Sequence, residues 1–225
     1  MLGSGVCDKR VITLFGADSR SIDEAKLARA LHGTTTVGIV TRDHVVLAAD
    51  KRATAGTMIA SRRVKKIVKI NEYSAMTISG LVADAQNLAD IVREESRYYI
   101  LTTGVRLSVK GIATLLANIL FSNKFFPYIV QLIVGGYDIK PRLYVLDLYG
   151  SITEETYAAT GSGSPVAYGV LEDYYREDLT VEEAVEIAKK AIRTAILRDS
   201  ATGDGIDVTI IGKDSYKEMF VPFKQ

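Results

Sequence analysis

The most informative chemistry in this sequence lies at residues 33–36, where a glycine precedes three threonines. If the chain were cut after Gly33, Thr34 would carry both a hydroxyl and a free α-amine. An α-amine has a pKa of about 7.7–8.0, so near neutral pH a useful fraction can accept the hydroxyl proton. Thr34 would then supply both nucleophile and base. Composition alone explains consecutive threonines equally well, because threonine favours strands.

Lys66 is the second unusual residue. It lies in the run 64–70, whose side chains are expected to alternate between two faces of a strand. That alternation makes Lys66 a cation on an otherwise apolar face, and an ammonium near Thr34 would ease the formation of alkoxide character on its hydroxyl. The alternative is a half-buried face from which the lysine reaches water.

Asp50 ends the apolar run 45–49 and directly precedes Lys51 and Arg52. One interpretation makes Asp50 the partner of Lys66, which would otherwise be an uncompensated buried charge. The other is a solvated carboxylate paired with Lys51 or Arg52, worth at most about 1 kcal/mol.

Two loops also hold candidate side chains. Residues 161–165 combine glycines and serines before a proline, but they match neither a nucleophile elbow nor a dinucleotide fingerprint. Residues 198–204 form a polar stretch after a long helical pattern. An ordinary flexible or polar loop remains the alternative for both.

Composition restricts the remaining chemistry. The 225 residues carry a net charge of +1, which predicts no general attraction to nucleic acid or to anionic lipid. The single cysteine, Cys7, excludes an internal disulfide and fits a reducing compartment. With two separated histidines, His32 and His44, the usual zinc sets cannot be assembled, so we expect no metal and no cofactor. A base other than histidine is expected.

The sequence contains no apolar run of the roughly 18–20 residues that span a bilayer. Charged residues at 8–10 interrupt what would be the apolar block of a signal peptide. These features predict a cytoplasmic protein that does not contact a membrane.

The elements that must position these residues follow from periodicity and capping signals. A capping box at Ser21 and Glu24 predicts a short helix to about Leu31, and strand-like patterns begin at Thr34. The predicted order is strands at 34–40, 45–49, 64–70 and 73–79; helices from Asp84 and through 112–120; strands at 128–134, 143–148 and 152–159; helices from 164 and 181; and strands at 206–211 and 219–223.

Each helix pair must bury its apolar stripe against a sheet. Adjacent strands without helices between them should pair antiparallel. The sequence therefore predicts an α+β fold, a four-layer αββα sandwich of two antiparallel sheets flanked by helix pairs.

Taken together, these motifs resemble the β subunits of the 20S proteasome, most closely the archaeal type, over about residues 34–215. The matching text occurs in one order along the chain: Gly33–Gly38, Ala48–Thr54, Lys65–Ile67, Met76–Leu81, Asp84–Ala85, Pro127–Tyr128, Gln131–Leu132, Thr160–Pro165 and Arg198–Ala201.

The resemblance implies an N-terminal-nucleophile hydrolase, a threonine endopeptidase made as a zymogen. Residues 1–33 would be a propeptide removed by autocatalytic cleavage between Gly33 and Thr34, leaving residues 34–225 as one catalytic domain. Thr34 would be nucleophile and proton acceptor, with Lys66 lowering the effective pKa of its hydroxyl and Asp50 holding Lys66.

The resemblance gives further residues their roles. The backbone N–H of Gly80 would be the oxyanion donor, and Ser162 and Asp199 would orient the threonine amine. Thr202 stands where many relatives have a serine, so the hydroxyl is kept and a methyl group is added. The wall for the substrate side chain before the scissile bond would be apolar, which predicts a preference for apolar or aromatic residues; it comprises Ala53, Val68 and Ile78.

The resemblance also implies partners: other β subunits in a heptameric ring, α-subunit rings, an ATPase unfoldase as regulator, and unfolded polypeptides as substrates. Three alternatives remain open. They are a β subunit that builds the ring with little or no catalysis, the bacterial two-ring relative HslV, and an amidotransferase or aminohydrolase of the same broad fold.

Overall fold

The computed structural model describes residues 33–223, and its layers follow from where the apolar stripes of its helices are buried. Two five-stranded antiparallel sheets lie face to face, and a pair of helices covers the outer face of each sheet. The predicted four-layer αββα sandwich is therefore confirmed. The short helix predicted to end near Leu31 lies outside the described residues.

The strands in chain order are β1 (Thr35–Val40), β2 (His44–Asp50), β3 (Ala53–Ala55), β4 (Met58–Ser61), β5 (Ile67–Asn71), β6 (Ser74–Gly80), β7 (Val130–Tyr137), β8 (Pro141–Leu146), β9 (Ile152–Glu154), β10 (Tyr157–Gly161), β11 (Ile206–Gly212) and β12 (Ser215–Val221). The first sheet has the order β10-β1-β2-β11-β12 and the second the order β5-β6-β7-β8-β9, while β3 and β4 form a separate hairpin.

Four helices complete the outer layers: α1 (Val82–Thr103), α2 (Val109–Ser122), α3 (Ser164–Tyr174) and α4 (Val181–Arg198). Pro165 lies in the first turn of α3, where its missing N–H costs nothing. At the start of α4, Thr180 and Glu183 form the predicted capping box.

Three apolar clusters hold the layers together. One lies between α1, α2 and the second sheet, one between the first sheet and α3 with α4, and one between the two sheets. The middle cluster contains Leu47, Ile67 and Ile133, all fully buried. Because both sheets are fixed against each other by this cluster, residues at the same end of the two sheets can form one site.

The prediction of a single strand over 152–159 is wrong, because the structure has two strands here and they belong to different sheets. β9 pairs with β8 in the second sheet, whereas β10 pairs with β1 in the first. The chain crosses between the sheets at Glu155 and Thr156: the N–H of Glu155 donates to the carbonyl of Leu143, and the N–H of Val40 donates to the carbonyl of Thr156. A continuous β-forming pattern cannot reveal such a crossing.

Three smaller expectations also differ from the structure. The β3–β4 hairpin was not predicted, and the strand expected from Val64 begins at Ile67, so Lys66 lies just before it. The apolar spacing of the helix predicted from Asp84 would also put Tyr99 on its buried stripe, but the side chain of Tyr99 is exposed. Near the end of α1 the helix extends beyond the sheet that its first half covers.

Candidate active site

Gly33 and Thr34 lie in a cleft of about 880 Å³ at one end of the two sheets. Thr34 directly precedes β1, and its side chain is almost completely buried. Gly33 has φ +115°, and a Cβ at this position would lie 2.6 Å from Thr54 Oγ1. A glycine is therefore required before Thr34 both by its backbone conformation and by the lack of space.

Asp50 and Lys66 form a buried ion pair beside this glycine. Lys66 Nζ donates to Asp50 Oδ1 at 2.7 Å and to the carbonyl oxygen of Gly33 at 2.9 Å. The Lys66 side chain is 2% exposed and the Asp50 side chain 0%. The structure thus favours the buried pair over the solvated alternatives for both residues.

Backbone groups from three segments complete the surroundings of Asp50. Its Oδ1 accepts the N–H of Thr35 at 2.9 Å. Its Oδ2 accepts the N–H of Arg52 at 3.0 Å and of Gly203 at 2.9 Å. A buried carboxylate needs such donors to offset the loss of water, and here they also fix the carboxylate that holds Lys66.

Burial shifts both partners toward their neutral forms. It raises the pKa of Asp50, against the opposing charge and hydrogen bond of Lys66. It lowers the pKa of Lys66, against the attraction of Asp50 and, more weakly, Asp199, while Arg52 lowers it further. A lysine with a lowered pKa is a stronger hydrogen-bond donor to an adjacent oxygen, which here is the carbonyl oxygen of Gly33.

A second polar cluster contains Ser162, Asp199 and Thr202. Asp199 Oδ2 accepts hydrogen bonds of 2.5 Å from both Ser162 Oγ and Thr202 Oγ1. Ser162 Oγ also lies 3.3 Å from the nitrogen of Gly33 and 3.3 Å from the carbonyl oxygen of Thr34. The cluster therefore contacts the backbone on both sides of the Gly33–Thr34 bond.

Arg52 holds the loop that carries two members of this cluster. Its Nε donates to Asp204 at 2.8 Å, and another of its guanidinium nitrogens donates to the carbonyl oxygen of Ser200 at 2.8 Å. A Cβ at Gly203 would lie 2.3 Å from the guanidinium, so arginine and glycine backbone are in close contact. Arg52 thereby fixes residues 199–204 against the start of the β3–β4 hairpin.

Gly80 ends β6 and lines the same cleft. It has φ +111°, and a Cβ here would lie 2.2 Å from the carbonyl oxygen of Ile129. Any side chain would displace the backbone at the start of β7, so the lack of a side chain at Gly80 allows β6 and β7 to pack closely here.

The three residues predicted for the substrate wall lie on β3, β5 and β6. Ala53 lines the cleft. Val68 packs against the cluster beneath α1, Ile78 is buried within that cluster, and neither is among the described residues that line the cleft. The other lining residues are Thr54, Gly56, Thr57, Leu81, Val82 and Ala83.

Among residues 33–223, no group of three or more His, Cys, Asp or Glu side chains is arranged to hold a metal ion. Over the same residues, no helix is both long enough and apolar enough to cross a bilayer.

Comparison with known proteins gives one consistent result. A sequence model of the family described as proteasome subunit matches residues 30–211. This chain belongs to the proteasome subunit family. This match and similar archaeal β subunits together confirm the resemblance that the motifs indicated.

Individual archaeal relatives agree with this family. "Proteasome subunit beta 2" of Aeropyrum pernix is 65% identical over 210 residues, covering 93% of this chain and 94% of that protein. "Proteasome subunit beta 2" of Hyperthermus butylicus is 59% identical over 196 residues, covering 87% and 92%. "Proteasome subunit beta 1" of Saccharolobus islandicus is 50% identical over 191 residues, covering 85% and 90%.

Some groups at this proteasome-family site were not found from the sequence. The backbone N–H groups around Asp50, the clamp formed by Arg52 and the hydroxyl of Thr35 received no role. Arg52 could have been noticed as an arginine two residues after a buried aspartate, but its partner Asp204 is 152 positions further along the chain. Only the fold brings these two segments together.

Proposed function

We propose that this proteasome subunit is a threonine endopeptidase activated by cleavage between Gly33 and Thr34. One observation carries the proposal: Lys66 Nζ lies 2.9 Å from the carbonyl oxygen of Gly33. That oxygen belongs to the bond that must break. A buried ammonium donating to it polarises the carbonyl and favours attack at its carbon.

The proton of the Thr34 hydroxyl needs one acceptor before the chain is cleaved and another afterwards. In the intact chain the nitrogen of Thr34 is an amide and cannot accept a proton. When the Thr34 oxygen attacks the Gly33 carbon, its proton must therefore pass through another group before it reaches the Thr34 nitrogen, which leaves as an amine. Water then hydrolyses the Gly33 ester and releases residues 1–33.

After cleavage the nitrogen of Thr34 is an amine, which can accept the proton of its own hydroxyl. The Thr34 oxygen then attacks the substrate carbonyl and forms a C–O bond, and the displaced peptide nitrogen leaves with the proton. Water hydrolyses the resulting ester and restores the hydroxyl.

Charge in this reaction develops on two oxygens. Lys66 stabilises negative charge on the Thr34 oxygen, and Asp50 keeps the ammonium in place through a 2.7 Å contact. The backbone N–H of Gly80 is assigned to the oxyanion of the tetrahedral intermediate. Loss of one such donor typically costs about 2.7–4 kcal/mol of transition-state stabilisation.

The same assignment gives residues 1–33 the role of a propeptide and residues 34–225 that of the working domain. As a proteasome subunit, the chain is proposed to assemble with other β subunits in a heptameric ring between α-subunit rings. An ATPase unfoldase would deliver unfolded polypeptides. The cytoplasmic location expected from the sequence stays a prediction.

The lining of the cleft supports a preference for apolar or aromatic residues before the scissile bond. Of the lining residues that the structure describes, Lys66 alone carries a charge, and Asp50 already pairs with it. A charged substrate side chain would lose water there without gaining a partner. We expect fluorogenic peptides with leucine or tyrosine at this position to be cleaved with at least about tenfold higher kcat/KM than those with aspartate or arginine.

The peptides should differ at that residue alone, and Ala53→Asp provides a matched variant that adds charge to the wall. It should lower cleavage of the leucine peptide more than that of the arginine peptide. Faster cleavage after acidic or basic residues by the unchanged protein would contradict the assignment of the wall.

A further inference from the structure

The side chain of Thr35 contacts the polar cluster of Ser162, Asp199 and Thr202, which we call the Asp199 cluster. Thr35 is fully buried, and its Oγ1 lies 2.7 Å from Thr202 Oγ1. Its backbone N–H meanwhile donates to Asp50. One residue therefore joins the two polar clusters of the site, the ion pair through its backbone and the Asp199 cluster through its hydroxyl.

The direction of the hydrogen bond between the two threonines follows from the proton count. A hydroxyl has one proton, and a carboxylate has none to give. Thr202 Oγ1 uses its proton on Asp199 Oδ2, at 2.5 Å. The proton between the threonines must therefore belong to Thr35, so donation runs from Thr35 to Thr202 to Asp199.

Space for this arrangement is provided by Gly163. A Cβ at Gly163 would lie 2.1 Å from Thr35 Oγ1 and 3.3 Å from Asp199 Oδ2. The chain thus leaves a position without a side chain where the Thr35 hydroxyl reaches the cluster. A threonine that only formed part of β1 would not require that space.

We propose that the hydroxyl of Thr35 is a positioning group for the Thr34 amine, acting through Thr202, Asp199 and Ser162. This inference rests on the proposed function. By donating to Thr202, Thr35 keeps the Thr202 proton on Asp199, next to the proton that Ser162 gives to the same oxygen. The lone pairs of Ser162 Oγ then stay available to accept from the backbone beside Thr34, as they do from the N–H of Gly33 at 3.3 Å.

Removing the Thr35 hydroxyl would free Thr202 to rotate away from Asp199. The Asp199 carboxylate would lose part of the hydrogen bonding that offsets its charge. Its less compensated charge would stabilise the protonated amine of Thr34. The pKa of that amine would rise. Because the neutral amine is the base, the acid limb of the activity profile would move to higher pH.

The charged groups of the site outside the Asp199 cluster must stay unchanged in the test. They are Lys66 and Asp50 from the ion pair and Arg52 from the clamp. Thr35 contacts Asp50 through its backbone N–H, which a side-chain substitution leaves in place. A shift of the acid limb would therefore report the Asp199 cluster.

The test compares kcat/KM of the assembled particle across pH 5.5–9 for the unchanged chain and for Thr35→Val. We expect the acid-limb midpoint to rise by about 0.3–0.5 unit, which is about two- to threefold lower kcat/KM below the midpoint. At high pH the two proteins should converge. Thr35→Ala, which adds no methyl group near Thr202, serves as a second variant if the valine chain does not assemble.

Two variants separate positioning from packing. Thr35→Ser keeps the hydroxyl and should restore the original midpoint. Thr36→Val removes a hydroxyl bonded to Thr77 and Thr160, away from Asp199, and should leave the midpoint unchanged. An equal loss of activity at every pH in Thr35→Val and Thr35→Ala, or no change, would overturn this inference alone. An uncleaved, inactive unchanged chain would overturn the proposed function as well.

Discussion

Replacement of Thr34 by alanine is expected to abolish both removal of residues 1–33 and all peptidase activity. The substitution deletes the hydroxyl that we assign as nucleophile, and the neighbouring hydroxyls of Thr35, Ser162 and Thr202 would gain no free α-amine to act as their base. Its backbone contacts, including that of its carbonyl with Ser162 Oγ, are kept. Assembly should therefore persist. Intact mass of the purified particle and cleavage of a fluorogenic peptide measure the two losses.

Thr34→Ser is the matched control for this prediction. It keeps a hydroxyl at the same atom position and removes one methyl group, so cleavage and measurable activity should be retained. If the Thr34→Ala protein still lost residues 1–33 and cleaved peptides at the rate of the unchanged chain, the nucleophile would have to be another residue.

Loss of the Lys66 ammonium has the second large effect. In Lys66→Ala, Asp50 keeps its backbone donors but becomes a buried charge without a counter-ion, which typically costs 3–5 kcal/mol. The Gly33 carbonyl also loses its donor. We expect that residues 1–33 are not removed. Peptidase activity should fall by at least about a hundredfold, which is comparable to the loss of an oxyanion-hole donor.

A double variant separates stability from chemistry in this case. Asp50→Asn combined with Lys66→Met removes both charges and fills most of the volume of the lysine, so thermal stability should recover relative to Lys66→Ala. Activity should not recover, because the ammonium is still missing. Strong activity in either protein would show that the electrostatic role of Lys66 is misassigned.

The sequence predicted the layers well because amphipathic patterns encode them directly. The stripe of α4 and its capping box are local features, and the fold keeps them. What the sequence could not provide was the change of sheet between β9 and β10, since both segments have the same β-forming composition. The β3–β4 hairpin was missed because its two strands are only three and four residues long.

The candidate site was predictable where a residue broke a local pattern. Lys66 stood out as a cation on the otherwise apolar face of an alternating segment, and a buried cation needs a carboxylate, which pointed to Asp50. Thr35 broke no pattern, since a threonine at a strand start is ordinary. Its importance depends on a 2.7 Å contact with Thr202, 167 positions away, that no local rule contains.

Specificity is the part of the account for which the sequence was least informative. Val68 and Ile78 have the apolar character expected of a substrate wall, but both pack against the α1 side of the second sheet. Residues 81–83, at the start of α1, line the cleft together with the predicted Ala53. The alternation of side chains between the two faces of a strand does not predict which end of a helix lies next to the cleft.

The most direct test of the account is the N-terminal residue of this chain in a purified particle that actively cleaves peptides. Intact mass and N-terminal sequencing should both give a chain that begins at Thr34 with an unmodified amine. A fully active particle whose chains all retain residues 1–33 in amide linkage to Thr34 would contradict the claim that this threonine supplies its own base.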